Sequence, residues 1–340
     1  MSITITAQIF SGRPNPLWAL GDDEAAALIQ ELAANPGVIV PTDKAEGRLG
    51  YSGLRVDLRS ETLATEAGLP SQFLIHNGST RFEAKGQEIA ARLVEGIFKD
   101  RFAWDSMVPG IGPDEALKAI LLGEVAGAES SAMLGSALHS NTEAALRAPL
   151  APEAADRGPP LTIDCTVESA VYNPGFWNDA GTVQLHNNCY CYAVNRRIDK
   201  FGWPGKGAGR PIRAPFTLEN VTAGILADGL RRHGDCLPDT EKPRFLVAMV
   251  VAPFKPGDPN YNDFHFYRNS VASLTSPKYF WSHKMGQFPV SNIDTSCNII
   301  GNVERANRGK YSIFGGYFYA SKSVRLDGNV IGYLAEEAAA

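Results

Sequence analysis

The residues Gln184-Leu185-His186-Asn187-Asn188-Cys189-Tyr190-Cys191 carry the types needed for thiol chemistry. Asn is a favoured helix N-cap, so Asn187 or Asn188 is expected to start a helix with Cys189 in its first turn. A thiol there faces unpaired backbone N–H groups and the positive end of the helix dipole. Both favour the thiolate and make a Cys nucleophilic near neutral pH. Such a nucleophile also needs a base or an imidazolium partner.

Two strand-like segments offer imidazoles. In Asp263-Phe-His-Phe-Tyr-Arg268 the alternation sends Asp263, His265 and Tyr267 to one face, and Phe264 and Phe266 to the other. In Phe280-Trp-Ser-His-Lys284, Trp281 and His283 share a face. An antiparallel register with Asn269 opposite Tyr279 sets His265 opposite His283, with Cβ atoms about 5 Å apart. One imidazole would then serve the thiol while the other fixes its tautomer. A slip of one residue would separate them. Gln184 is a candidate oxyanion donor, and Asn188, Trp203, Tyr267 and Trp281 are candidate lining residues. Two other readings stay open. The cysteines and histidines can be packing residues of a non-enzymatic binding or toxin-like protein on the same fold, or His186, Cys189 and Cys191, with His265 and His283, can hold zinc or copper. Positions two apart on a helix lie about 200° around its axis, which disfavours both cysteines binding one ion. The spacing also matches no standard zinc signature.

A Cys at a helix start, a His on a following strand and a third polar residue on the next strand resemble the papain-like peptidases. The NlpC-type cell-wall peptidases and related amidases are the nearest type. That resemblance covers about residues 165 to 320. It implies Cys189 as nucleophile, His265 as base and His283 as its orienter, acting on a peptide, amide or glycopeptide. The family's Asp-Cys-Ser-Gly surround is replaced by Asn-Asn-Cys-Tyr-Cys-Tyr-Ala. The same region resembles bacterial proteins with an Asn-Cys-Tyr-Asn-Tyr-Ala motif, a His-(Trp/Phe)-Tyr-Arg strand and a Trp-Ser-His-Lys turn. That second resemblance matches Cys189 but not Cys191, and implies no activity.

Positioning these residues falls to an α+β chain. The 340 residues suggest two domains, each able to bury a core. Residues 1–142 read as a small α+β module for docking or recognition. They comprise strands at Ser2–Phe10, Gly53–Leu58 and Ser71–Ala84, the last folding back at Asn77-Gly78. Helices follow at Gly21–Gly37, Gly86–Phe102 and Gly112–Gly127. His76 reads as structural, and Ser11-Gly12-Arg13-Pro14-Asn15-Pro16 as a turn. Residues 143–160 are rich in Ala and Pro and read as a linker. Residues 161–340 form the Cys–His domain. It has a second helix from a Thr217 cap to a Gly234 stop, then antiparallel strands, the apolar Arg244–Phe254 among them central. The Gly-rich Phe201–Pro211 lacks phosphate-loop spacing and reads as a lid or rim.

Hydrophobic residues make up 44% and charged residues 20%, with a net charge of −5. No basic patch supports nucleic-acid binding, no apolar run spans a membrane, and no organic cofactor is indicated. The start lacks a signal-peptide pattern, so the cytoplasm is expected, with leaderless export left open. The five cysteines then read as reduced, and Cys165, Cys236 and Cys297 as small buried side chains.

Overall fold

The computed structural model describes residues 3–97, 115–127, 165–179, 183–254, 262–275 and 278–329. The proposed linker at 143–160 lies outside them. The fold is α+β, and its larger sheets are almost wholly antiparallel. The chain divides into two compact units: Met1–Ile9 with Asn15–His139, and Phe10–Pro14 with Ser140–Ala340.

In the first unit, strands β1 (Ile3–Ala7), β2 (Leu17–Ala19), β3 (Ile39–Pro41), β4 (Leu54–Leu58) and β5 (Gln72–Ile75) form a sheet of order β2-β1-β4-β5-β3. Helix α1 (Asp22–Ala34) buries Ala25, Leu28 and Leu32 at helical spacing. Helix α2 (Glu61–Ala67) is capped by Ser60, whose Oγ accepts from Leu63 N–H, and it ends at left-handed Gly68. Helix α3 (Ala84–Glu95) packs on α4 (Glu115–Ala126). The expected hairpin at Asn77-Gly78 is not formed. Asn77 instead caps a 3-10 turn at Gly78–Phe82 through reciprocal bonds with Thr80. Its amide also bonds the carbonyls of Glu46 and Ser52, which ties it to neighbouring loops. His76 is buried with Nδ1 3.2 Å from Tyr51 Oη.

The second unit is built on a sheet of order β12-β11-β10-β9-β13-β8. Its strands are β8 (Arg231–Arg232), β9 (Phe245–Val251), β10 (Phe264–Val271), β11 (Tyr279–Lys284), β12 (Val290–Ser291) and β13 (Ile313–Ala320). The short β6 (Ala170–Val171) joins β10 in parallel, and β7 (Phe201–Gly202) pairs with β14 (Gly328–Asn329). All seven residues of β9 are buried, which is why this run is apolar throughout. Each such Val, Leu or Phe contributes about 1.5–3 kcal/mol by leaving water.

Two helices lie against this sheet's residues. Helix α5 (Cys189–Ala193) rests on β10 and β11. Helix α6 (Leu218–Asp228) starts at the expected Thr217 cap but stops at Gly229, not Gly234. Gly229 has φ +108°, a conformation that side chains resist, and the chain then enters β8. The cysteine expectation is corrected as well. Cys165 and Cys236 are joined in a disulfide, with Cα atoms 5.2 Å apart. Cys189, Cys191 and Cys297 lie outside the disulfide. The proximity of Cys165 and Cys236 was not readable from residues 71 positions apart.

Candidate functional site

Asn188 caps α5 as the sequence requires. Its Oδ1 accepts from Cys191 N–H at 3.3 Å, and its Nδ2 donates to the carbonyls of Gly12 (2.7 Å) and Gly202 (2.9 Å). Every residue of α5 is buried. Tyr190 packs on Phe266 and hydrogen-bonds Asp228, while Tyr192 bonds Ser282 and lies under the Arg268 guanidinium. The helix thus uses the Phe266, Arg268 and Ser282 face of the sheet.

Cys189 is wholly buried, and its sulfur accepts the Phe266 amide N–H. Burial, and then the nearby Asp263 carboxylate, push its thiol well above the ordinary range. This burial works against the activation expected at the helix start. Five residues of helix supply a small dipole, and desolvation outweighs it. Cys191 points elsewhere, as the helical spacing predicted. Its sulfur donates to Lys200 O at 3.4 Å, and it packs with Tyr172, Trp177 and Phe280.

The two imidazoles do meet. The register pairs Tyr267 with His283 and Asn269 with Trp281, two residues away from the expected one. A shift by two keeps the same face, so His265 sits diagonally from His283 instead of opposite it. His265 Nε2 is 2.8 Å from His283 Nδ1, and His283 Nε2 is 3.0 Å from Ile293 O. A carbonyl only accepts, so His283 carries its hydrogen on Nε2 and accepts on Nδ1. His265 must then donate from Nε2, which leaves Nδ1 to accept from Ser11 Oγ at 2.9 Å. Neither ring is left a nitrogen for Cys189, so the thiol–imidazole pair is absent from this conformation. Burial holds His265 well below the usual range, and it holds His283 down at about 4. Both rings are neutral near pH 7.

The chain of contacts continues beyond Ser11. Tyr311 Oη lies 2.7 Å from Ser11 Oγ and donates to Asp263 Oδ2 at 2.5 Å. Asp263 Oδ2 also accepts the amides of Ser11 and Gly12. With Ser11 donating to His265 and Tyr311 donating to Asp263, the Ser11–Tyr311 contact has no hydrogen of its own. The series from Asp263 to Ile293 closes only with one further proton.

The remaining candidates are interior groups. Tyr267 is stacked on His283, with centroids 4.9 Å apart. Trp281 packs on Tyr317, and Trp203 donates from Nε1 to Ile212 O. All three are buried, so they line no open cleft. Gln184 donates to Gln287 O instead of standing as an oxyanion donor. The Gly-rich segment is not a loose lid. Asp228 accepts from Gly205 N–H and Ala208 N–H, and Lys206 bonds Gly328 O and Asn329 Oδ1. The metal alternative is corrected too. Among the described residues no three His, Cys, Asp or Glu side chains gather to hold an ion. His186 lies by Asp199, apart from this cluster.

Sequence reading missed Ser11, Tyr311 and Lys284. Lys284 is fully buried, donates from Nζ to Gln184 O (2.5 Å) and to Gly286 O, and is lowered to about 7 by burial. Asp263 was findable, since alternation already set it on the His265 face. Ser11 was not, because only tertiary structure carries residues 10–14 to the second unit.

No family model and no solved structure matches the chain. A curated protein does. Over 159 residues the chain is 35% identical to insoluble matrix shell protein 1 of Ruditapes philippinarum, covering 95% of that protein and 47% of this chain. The chain belongs to the family of that shell protein. More than half of the chain lies beyond the match to the shell-protein family member. Also, no helix among the described residues is long and apolar enough to cross a membrane.

Proposed function

We propose that the second unit is a non-enzymatic structural and binding module, in which Cys189, His265 and His283 hold the fold together. One observation carries this reading: all four ring nitrogens of His265 and His283 are engaged inside the protein. The buried, protonated thiol of Cys189 agrees with it. A relative named as an insoluble matrix protein supports a matrix role. The Cys165–Cys236 bridge supports an oxidising compartment in place of the expected cytoplasm.

The test is alkylation of the folded protein by iodoacetamide, read cysteine by cysteine. Cys189 is expected to react only at the rate of global opening. Modification of Cys189 at pH 6 faster than Cys297 would restore the alternative, a thiol-dependent hydrolase or acyl transferase acting on an amide or ester. A specific observation favours that alternative: the Asn188 amide donates to a peptide carbonyl, that of Gly12, beside Cys189, as an oxyanion donor would.

A further inference from the structure

Residues Phe10–Pro14 follow β1 and precede β2, two strands that pair with each other in the first unit. Yet this strap belongs to the second unit. Its backbone is held there by side chains with no solvent exposure. Asp263 Oδ2 accepts from the amides of Ser11 (2.8 Å) and Gly12 (3.3 Å), and Asn188 Nδ2 donates to Gly12 O (2.7 Å). The Ser11 hydroxyl reaches His265 Nδ1 and Tyr311 Oη. Gly12 is required by closeness, because a Cβ there would come 2.3 Å from Phe264 O and 2.5 Å from its ring. The Arg13 guanidinium lies 3.7 Å over the Phe10 ring, and Lys310 Nζ lies 4.5 Å from the same ring. The backbone groups, the hydroxyl and the glycine are each read by a different partner, and the Arg13 guanidinium, stacked on the strap's own Phe10, also lies 5.9 Å from the Phe216 ring. Peptide-binding sites recognise their ligands through the same backbone and side-chain contacts.

We propose that the second unit contains a peptide-binding cleft between Asn188, Asp263, His265 and Tyr311, occupied in this structure by the chain's own Phe10–Pro14. Its ligands are bent segments with a small hydroxyl residue, then glycine, then a basic residue, the conformation of Ser11–Arg13 itself. Asp263 and Asn188 select for the backbone, and Phe264 excludes any side chain at the glycine position. The self-segment raises the local concentration of ligand, so a free peptide competes poorly until the strap is displaced. This inference rests on the binding reading above, and the two fail by different measurements. Rapid alkylation of Cys189 in the wild-type protein overturns the non-enzymatic reading. Absence of peptide binding overturns the cleft.

The test uses the full chain with Gly12→Val, which displaces the strap, and the end-blocked peptide Phe-Ser-Gly-Arg-Pro carrying a fluorophore. Saturable binding by the variant is expected, at least ten-fold tighter than by the wild-type chain. The peptide with Val in place of Gly is expected not to bind. A folded variant that ignores the peptide, or binds the Val peptide equally well, overturns the proposal. Should Gly12→Val not fold, hydrogen exchange of the wild-type chain decides. The amides of Ser11 and Gly12 exchanging at least ten-fold faster than that of Ala248 in β9 would support a displaceable strap. Exchange of all three only on global unfolding would overturn it.

Discussion

At the scale of single residues, the cluster is governed by desolvation. His283 bonds His265 on one side and the Ile293 carbonyl on the other. Replacing it by Ala orphans a buried N–H and a buried C=O, and His283→Ala is expected to lower stability by about 2–4 kcal/mol in urea unfolding. The two imidazoles also set a pH dependence. Their folded values lie below the unfolded 6.5, His283 at about 4. The unfolded chain therefore binds protons first as pH falls, and stability present above pH 6.5 is lost between about 6.5 and 4. For His283 the loss is on the order of 3 kcal/mol. A denaturation midpoint that stays flat across this range would show that the rings are not buried. Lys284 acts in the alkaline direction. With a folded value of about 7 against 10.5 in the open chain, it binds its proton more weakly when folded. Its contribution makes stability rise from pH 7 upward, until the buried thiols of Cys189 and Cys191, themselves raised, oppose the trend near 9. Lys284→Met is expected to abolish the rise between pH 7 and 9.

At the scale of elements, α5 and the strap depend on one amide. Asn188 caps the helix and carries the carbonyls of Gly12 and Gly202. Asn188→Ala removes a cap, which costs about 1 kcal/mol, and leaves two buried carbonyls unpaired. The expected total is about 2–3 kcal/mol, measured by thermal or urea unfolding. Asn188→Asp keeps the cap acceptor but loses both donated bonds, so it is expected to recover less than half of that loss. The elements themselves were largely legible in the sequence. Alternation in Asp263–Arg268 and the Thr217 and Asn188 caps correspond to real boundaries, since local hydrogen bonding and side-chain period are properties of short stretches. Where the reading failed, a neighbour decided. Asn77-Gly78 has hairpin chemistry, but Thr80, Glu46 and Ser52 claim Asn77 for other bonds. Gly234 has helix-stop chemistry, but Gly229 acts first.

At the scale of the whole molecule, the Cys165–Cys236 bridge closes a long stretch of the second unit. Cross-linking over that sequence separation restricts the unfolded chain by about 4 kcal/mol in the loop-entropy model. Reduction with dithiothreitol, or paired Cys165→Ser and Cys236→Ser, is expected to lower the unfolding midpoint without abolishing the β-sheet signal. No change on reduction would mean that the bridge contributes nothing. The same bridge leaves Cys189, Cys191 and Cys297 as the thiols to be followed in the alkylation test.

The sequence by itself determined the α+β class, the strand faces, the helix start at Asn188 and the shared face of His265 and His283. Each follows from periodicity or capping within some ten residues, where geometry is local. Tertiary structure alone decided how those residues are used. It buried Cys189, shifted the strand register by two, joined Cys165 to Cys236 and brought Ser11 onto His265. Burial and long-range contact set the ionisation of a thiol or an imidazole, and neither is encoded in the spacing of the groups that titrate.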